Sequence, residues 1–190
     1  MNMKSARVRL LLLFVAILAL GYFSYTRRYQ IAAKLWHWRH GNTVTLGKYK
    51  IPVPEGWLIN SAPAGLTAFI LVNTAPARYR DRKFHAPAVI NFASFQPIGT
   101  SRLDSWLTDE RQRLEREGVK AVTERTLHLA DETVVCIGGN ELREMIKGAG
   151  VDTDVISLHC KSDGGLDVLF VGDPTDVDFY TLLAQVAKYQ

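Results

Sequence analysis

The chain has 190 residues, of which 47% are hydrophobic and 22% charged, a composition typical of a folded protein and not of a disordered one. The net charge of +4 is unevenly distributed, because seven of the 23 basic residues and none of the 19 acidic residues precede residue 43. The rest carries 16 basic and 19 acidic residues, a charge of −3. This argues against nucleic acid as a partner, since such binding needs a basic face on the domain.

An uncharged apolar run, LLLLFVAILALGYFSYT, occupies residues 10–26 between two groups of basic residues. As a helix it would be about 25 Å long, close to the ~30 Å hydrocarbon core of a bilayer. Because flanking cations stay at the headgroups, residues 1–28 are predicted to be one transmembrane helix that anchors the chain in membrane lipid. A cleaved signal peptide with a secreted domain is the alternative, with a small-x-small site at Ala19-Leu20-Gly21.

Charge on the two sides of this anchor is nearly balanced, because three basic residues precede the run and four follow it before residue 43. The short basic tail precedes the run as it does in a signal sequence. This predicts a single-pass protein with an extracytoplasmic, periplasmic domain, and a cytoplasmic domain is the alternative.

Residues 29–42 are predicted to be a juxtamembrane basic and aromatic helix or linker. Indole rings and cations prefer the headgroup region of a bilayer. Four residues are therefore predicted to lie at the membrane interface: Arg27, Arg28, Trp36 and Trp38. His37 and His40 have the i, i+3 spacing of a metal pair, but two histidines without a third ligand rarely form a site, so no metal is predicted.

A single domain is predicted over residues 43–190, and it begins with strands. Residues 43–50 alternate enough to be one strand, and the prolines at positions 52 and 54 then predict an edge or a turn. Residues 57–59 open another strand. Residues 66–73 and 88–95 are apolar and rich in branched side chains, which is typical of strands.

A long connection over residues 74–87 separates the last two of these strands. It holds the one concentrated basic surface of an otherwise acidic domain: Arg78, Tyr79, Arg80, Arg82, Lys83, Phe84 and His85. These residues form a candidate interaction loop for anionic headgroups, a phosphate-bearing ligand or an acidic protein face. A solvated hairpin tip is the alternative interpretation.

Residues 101–118 are predicted to be an amphipathic helix that begins at a Ser101–Asp104 capping box and ends at Gly118. Its buried stripe is predicted to consist of Leu103, Trp106, Leu107 and Leu114. The charged residues of this helix, Glu110 among them, are predicted to face water.

Further strands are predicted over 119–128 and 133–137, and Gly138-Gly139-Asn140 is predicted to break the second. Residues 141–146 fit either a strand or a short helical turn. Residues 154–160 and 166–172 are predicted to form a hairpin. A terminal helix is predicted to start at 173–176. Its inner face is predicted to consist of Phe179, Leu182, Leu183 and Val186.

Cys136 and Cys160 both lie in predicted strands. In an oxidising compartment a domain with two cysteines usually pairs them, so a structural disulfide is predicted, with two buried free thiols as the alternative. A reactive thiol is disfavoured, because His159 and Cys160 are neighbours on a strand and point to opposite faces.

No G-x-S-x-G, P-loop, G-x-G-x-x-G or H-E-x-x-H motif occurs in the chain. The sequence therefore predicts no catalytic residue, no cofactor and no cofactor-binding residue. The order of strands, helix, strands and helix predicts an α+β fold, with an antiparallel β-sheet packed by helices.

The region from residue 43 onward resembles the PsbP/DcrB-type sandwich proteins. The resemblance rests on the VPEGW turn at residues 53–57, the amphipathic helix with Trp106, and the hairpin that ends in FVG at 170–172 before Phe179 and Tyr180. It implies an antiparallel sheet between helices and an accessory or binding role in a membrane-associated assembly. It implies no catalytic residues.

These features together predict a membrane-anchored, non-catalytic accessory domain of the bacterial-type cell envelope that engages a protein partner. The alternative function is a small-molecule or anionic-lipid-binding domain, or an unrecognised hydrolase, that uses the basic and aromatic loop at residues 78–85.

Overall fold

The computed structural model describes residues 3–61, 67–75, 78–80, 83–85, 87–129, 132–146, 151–173 and 178–188. Two consecutive helices lead into strands and two further helices. In chain order the elements are α1 Met3–Thr26, α2 Arg28–His40, β1 Thr43–Leu46, β2 Tyr49–Pro52, β3 Trp57–Ser61, β4 Ala68–Asn73, β5 Arg78–Arg80, β6 Lys83–His85, β7 Val89–Ser94, α3 Thr100–Arg116, β8 Lys120–Leu129, β9 Glu132–Ile146, β10 Val151–Ser162, β11 Leu166–Gly172, α4 Phe179–Ala184 and β12 Ala187–Lys188.

Seven strands form the main sheet, in the order β3-β4-β7-β11-β10-β9-β8, and every neighbouring pair is antiparallel. A second sheet has the order β1-β2-β12, and β5 pairs with β6 in a separate hairpin. The α+β class with antiparallel sheets and helices is therefore confirmed, as is the hairpin of β10 and β11.

The main sheet separates two layers because side chains alternate along its strands. On one face, Leu158 and Cys160 of β10 join the core that also contains Tyr49 of the small sheet and Leu183 of α4. On the other face, His159 contacts α3 through hydrogen bonding to Glu110. All four predicted inner-face residues of the terminal segment are buried in the first layer: Phe179, Leu182, Leu183 and Val186.

The first predicted strand, 43–50, is wrong as a single element. Gly47 has a φ of +56°, a left-handed conformation that suits glycine and turns the chain back on itself. The segment is therefore a hairpin, in which Leu46 of β1 is opposite Tyr49 of β2.

The predicted break at Gly138-Gly139-Asn140 is also wrong, because β9 continues through it to Ile146. A Cβ atom at Gly138 would lie 1.9 Å from the backbone oxygen of Ser157, so glycine here permits close approach of β10. The ambiguous segment 141–146 belongs to the same strand.

Gly118 follows the C-cap Glu117 of α3 with a φ of +71°, so the predicted stop at Gly118 is confirmed, but both predicted helix starts differ from the structure. Gly99 is the N-cap of α3, with no side-chain cap hydrogen bond, so the predicted Ser101–Asp104 capping box is wrong. The terminal helix α4 begins at Phe179, and Asp178 caps it by accepting a hydrogen bond from the Thr181 amide at 3.2 Å. The predicted start of this helix at 173–176 falls mostly on residues outside the described part of the chain.

Cys136 and Cys160 are direct partners in the β9–β10 register, and their sulfur atoms lie at the disulfide distance of 2.06 Å. The predicted pairing agrees with this geometry, and the two cysteines are buried in the core between the sheets. Closing the loop between them stabilises the fold by about 3.5 kcal/mol on the chain-entropy estimate.

The N-terminal helix α1 has 24 residues and contains the whole apolar run at residues 10–26. Within the residues that the structure describes, no helix is long and apolar enough to cross a membrane.

Candidate functional site

Helix α1 exposes its apolar side chains. Ten large hydrophobic residues between positions 12 and 25 are each 54–73% exposed: Leu12, Leu13, Phe14, Val15, Ile17, Leu18, Leu20, Tyr22, Phe23 and Tyr25. A contiguous apolar surface of this kind marks a membrane or protein contact. None of the residues that the structure describes covers this apolar surface of α1.

Helix α2 has two different faces. Ala33 is buried and Trp36 packs against the core, so this face attaches the helix to the domain. On the opposite face, Ile31, Leu35 and Trp38 are 41%, 54% and 82% exposed. Their i, i+4, i+7 spacing places them in one stripe along the helix. This exposed stripe is a second uncovered apolar surface.

His37 fixes the end of α2 to the domain. Its Nδ1 lies 3.0 Å from the Asn42 side-chain oxygen, and its Nε2 lies 3.1 Å from the backbone oxygen of Pro54. The Nδ1 of His40 lies 3.1 Å from the Trp36 backbone oxygen. Both histidines contact backbone or amide oxygens, and the described residues contain no group of three or more side chains that could hold a metal ion.

A groove of about 1090 Å³ lies where α1 meets α2. One wall comes from the two helices, and the other comes from β3, β4, the two residues that follow β4, and Pro87 ahead of β7. Its lining consists of Tyr22, Tyr25, Thr26, Arg27, Arg28, Tyr29, Gln30, Ala32, Leu58, Val72, Asn73, Thr74, Ala75 and Pro87. The sequence predicted Arg27 and Arg28 as interface residues, but it did not indicate the groove, because its two walls are far apart in the chain.

Aromatic rings and one amide hold the two arginines of the groove. The guanidinium carbon of Arg28 lies 4.8 Å from the ring centres of both Tyr25 and Tyr29. Arg27 donates a hydrogen bond of 2.7 Å to the side-chain oxygen of Gln30. Among the described residues, neither guanidinium lies within 4 Å of a carboxylate. Their charges are therefore available to an anion.

The predicted interaction loop contains the β5–β6 hairpin. The register pairs Arg78 with His85, Tyr79 with Phe84, and Arg80 with Lys83. Arg82 lies outside the described residues.

A polar cluster between α3 and the main sheet was missed at the sequence level. His159 lies between two carboxylates, with Nδ1 2.9 Å from Glu110 and Nε2 3.0 Å from Asp167. Glu110 is only 7% exposed and also accepts two hydrogen bonds from Arg113, at 2.6 and 3.0 Å. The predicted exposure of Glu110 is therefore wrong.

The sequence does contain a signal for this burial. Glu110 follows Leu103 by seven residues and precedes Leu114 by four, which places it in the buried stripe of α3. The predicted core residues Leu103 and Leu114 are indeed buried. Glu110 occupies the stripe because His159 and Arg113 supply donors to its carboxylate.

The electrostatics of this cluster favour its charged state. Burial alone would lower the pKa of His159, but the hydrogen bonds and charges of Asp167 and Glu110 hold the pKa above its usual value. Burial would raise the pKa of Glu110, which Arg113 and His159 instead hold below its usual value. Burial would also raise the pKa of Asp167, but the hydrogen bond and charge of His159, together with Lys161, hold it below its usual value. A protonated His159 donates to both carboxylates.

A second cluster connects the small sheet to the main sheet. Tyr49 and Ser162 donate hydrogen bonds of 2.8 and 3.0 Å to the buried carboxylate of Glu132, and Lys48 forms an ion pair with it at 2.7 Å. The Ser162 hydroxyl also accepts a bond from the Leu166 amide at 2.8 Å. These contacts hold strands together, and they direct the serine oxygen into the protein.

No family model, curated protein or solved structure matches this chain. The resemblance to PsbP/DcrB-type sandwiches therefore stays a prediction.

The His159 cluster leads to a prediction about pH and stability. Because the pKa of His159 is raised on folding, this residue stabilises the folded domain fully below about pH 6.5, the pKa of the imidazole in the unfolded chain. The stabilisation is lost as the pH rises through the pKa in the folded state. Because the pKa values of Glu110 and Asp167 are lowered on folding, these two residues stabilise the folded domain above about pH 4. Their stabilisation is lost as the pH falls below that value. Replacing His159 by Gln should therefore destabilise the domain by about 2–3 kcal/mol near pH 6, and by less near pH 9.

Thermal unfolding followed from pH 4 to 9 measures this difference. His128→Gln is the matched control, because His128 is exposed on β8, and this variant should follow the wild type at every pH. A loss of stability in His159→Gln that stays constant from pH 6 to 9 would contradict the prediction.

Proposed function

We propose that the chain is a single-pass, membrane-anchored and non-catalytic accessory domain of a bacterial-type cell envelope, which engages a protein partner. The observation that carries this proposal is the pair of uncovered apolar surfaces, one on α1 and the other on one face of α2. A soluble domain would expose both surfaces to water at a large free-energy cost, about 25 cal/mol for each Å².

The composition of α1 supports the anchor. The run at residues 10–26 contains no charged residue, and basic residues stand on both sides of it. In a bilayer the exposed side chains would contact lipid tails, and the flanking cations would lie among the headgroups. The cysteine pair supports an extracytoplasmic domain, because disulfides persist in oxidising compartments.

The position of the exposed stripe on α2 supports a protein partner. Hydrogen bonds from the Arg27 amide to Phe23 and from the Ile31 amide to Arg27 carry the helical pattern across the junction. Trp38 would then lie about 18 Å along the helical path from the end of the apolar run, beyond the headgroups and not at the interface position that the sequence alone predicts for it. An apolar stripe at this height is suited to another protein helix.

The two polar clusters support a non-catalytic role. In each cluster, carboxylates contact donors of neighbouring strands or helices: Glu110 and Asp167 contact His159, and Glu132 contacts Tyr49 and Ser162. These contacts connect one layer of the fold to the next. Each cluster therefore has a structural use that requires no substrate.

We expect the full chain to stay in the membrane fraction during alkaline carbonate extraction. Replacing Ile17 and Leu18 together by Lys should release it, because two charges at the helix centre cost about 5–7 kcal/mol. The matched control carries the same changes on α2, Ile31→Lys with Leu35→Lys, and should stay in the membrane fraction. Extraction of the wild-type chain, or equal retention of both variants, would contradict the anchor.

We expect a photo-crosslinking amino acid at Leu35 to form a discrete protein adduct in intact membranes. The adduct should disappear with Trp38→Ala, which removes the largest side chain of the stripe, and should persist with the neighbouring change Arg39→Ala. The same crosslinker at Glu115, which is exposed on α3, should form no such adduct. Adducts with lipid alone would contradict a protein partner and favour a membrane-interface role for α2.

The β5–β6 hairpin favours a second candidate function, the binding of anionic surfaces or ligands. The register places Arg78 opposite His85 and Arg80 opposite Lys83, so four basic residues of the sequence lie within one short hairpin. The net charge of −3 on residues 43–190 makes this basic hairpin the exception within the domain.

For this function we expect the full chain in neutral lipid nanodiscs to associate with anionic vesicles. Arg78→Ala with Arg80→Ala should weaken the association about 25-fold, because each cation near an anionic surface contributes about fivefold. Arg102→Ala with Arg116→Ala on α3 is the matched control for charge. Equal weakening by both pairs would show that net charge, and not the hairpin, determines the association.

A further inference from the structure

We propose that the groove between the α1–α2 junction and strands β3 and β4 binds the headgroup of one anionic phospholipid. This inference rests on the proposed membrane anchor, and it concerns a site separate from the β5–β6 hairpin. The occupant is a lipid of the leaflet that faces the domain. Its phosphate would contact Arg27 and Arg28.

The two walls of the groove differ in chemistry. The helical wall presents the cations Arg27 and Arg28 with three tyrosines, and the wall from the sheet includes Leu58, Val72 and Pro87. None of the lining residues is acidic. An amphiphile with a negative headgroup matches both walls, since its charge meets the arginines while its glycerol backbone and first methylenes meet the apolar residues.

The cations are held in place before any ligand arrives. The guanidinium carbon of Arg28 lies 4.8 Å from the ring centres of both Tyr25 and Tyr29, and Arg27 donates a hydrogen bond to Gln30. Side chains ordered in this way lose less conformational entropy on binding. A planar guanidinium can donate two hydrogen bonds to one phosphate, so the pair suits a phosphodiester.

The position of the groove relative to the bilayer favours a lipid over a soluble ligand. Arg27 and Arg28 directly follow the apolar run, so in an anchored chain they lie at the level of the phosphates. Tyr22 and Tyr25 of α1 are part of the lining, so the groove is continuous with the surface of the anchor. Acyl chains could therefore run along α1, while a free phosphate would leave most of the roughly 1090 Å³ unfilled.

The test is native mass spectrometry of the full chain in non-ionic detergent, with phosphatidylglycerol or phosphatidylcholine of identical acyl chains. We expect one phosphatidylglycerol to be retained per chain in preference to phosphatidylcholine. Arg27→Gln with Arg28→Gln should reduce this preference about 25-fold, at about fivefold for each cation. The matched control Lys34→Gln with Arg39→Gln removes two cations of α2 that do not line the groove, and should keep the preference.

Two further measurements distinguish a lipid from a free phosphate, and the groove from the β5–β6 hairpin. Glycerol phosphate at the same concentration should not displace the lipid, because it lacks the apolar part. Arg78→Ala with Arg80→Ala should leave the retained lipid in place. Arg27→Lys with Arg28→Lys keeps the charge but loses the planar guanidinium, so its preference should lie between those of the wild type and the glutamine variant. This variant keeps the inference testable even if the glutamine variant folds poorly.

Four results would overturn the inference: equal retention of the two lipids, equal loss in both cation-to-glutamine variants, displacement by glycerol phosphate, or loss only in the hairpin variant. Carbonate extraction of the same wild-type preparation reports on the anchor separately. A chain that resists extraction but shows no lipid preference rejects the groove and keeps the anchor. A chain that is extracted rejects the anchor itself.

Discussion

The antiparallel pairing of β9 with β10 is the constraint on which both layers of the domain depend. Because side chains alternate, one register places Cys160 in the core and His159 against α3. A slip by one residue would reverse these positions and bury charged groups in the apolar layer. The bond between Cys136 and Cys160, which are opposite each other in this register, opposes such a slip. The disulfide therefore contributes to specificity as well as to stability.

The attachment of α2 determines what the N-terminal helices can do. Trp36 packs against the core, and His37 contacts Asn42 and Pro54 at the entrance to the domain. Because this face is fixed, the opposite face, with Leu35 and Trp38, must point away from the domain. The same attachment brings the junction of α1 and α2 beside β3 and β4. The exposed stripe and the groove are thus two consequences of one docking arrangement.

The sequence predicted those parts of the fold that depend on neighbouring residues. Alternation and turn residues were sufficient for the β10–β11 hairpin, and helical periodicity was sufficient for α3. Glu110 was misjudged because charge was given more weight than its position in the stripe, and its partner His159 is 49 residues away. Gly138 was predicted to break its strand, because the contact that requires glycine there is made by Ser157 on another strand and is not visible in the local sequence. The groove depends on distant segments, so no local pattern could indicate it.

Charge segregation gives the molecule a direction relative to a lipid surface. The segment before residue 43 holds seven basic residues and no acid, while the rest has a net charge of −3. Near an anionic leaflet, most of the domain surface would be repelled within about one Debye length, roughly 8–10 Å. The N-terminal cations and the β5–β6 hairpin would be attracted. In the proposed anchored state, Arg27 and Arg28 would therefore stay at the headgroups, and the groove beside them would face lipid whichever protein partner the exposed stripe of α2 contacts.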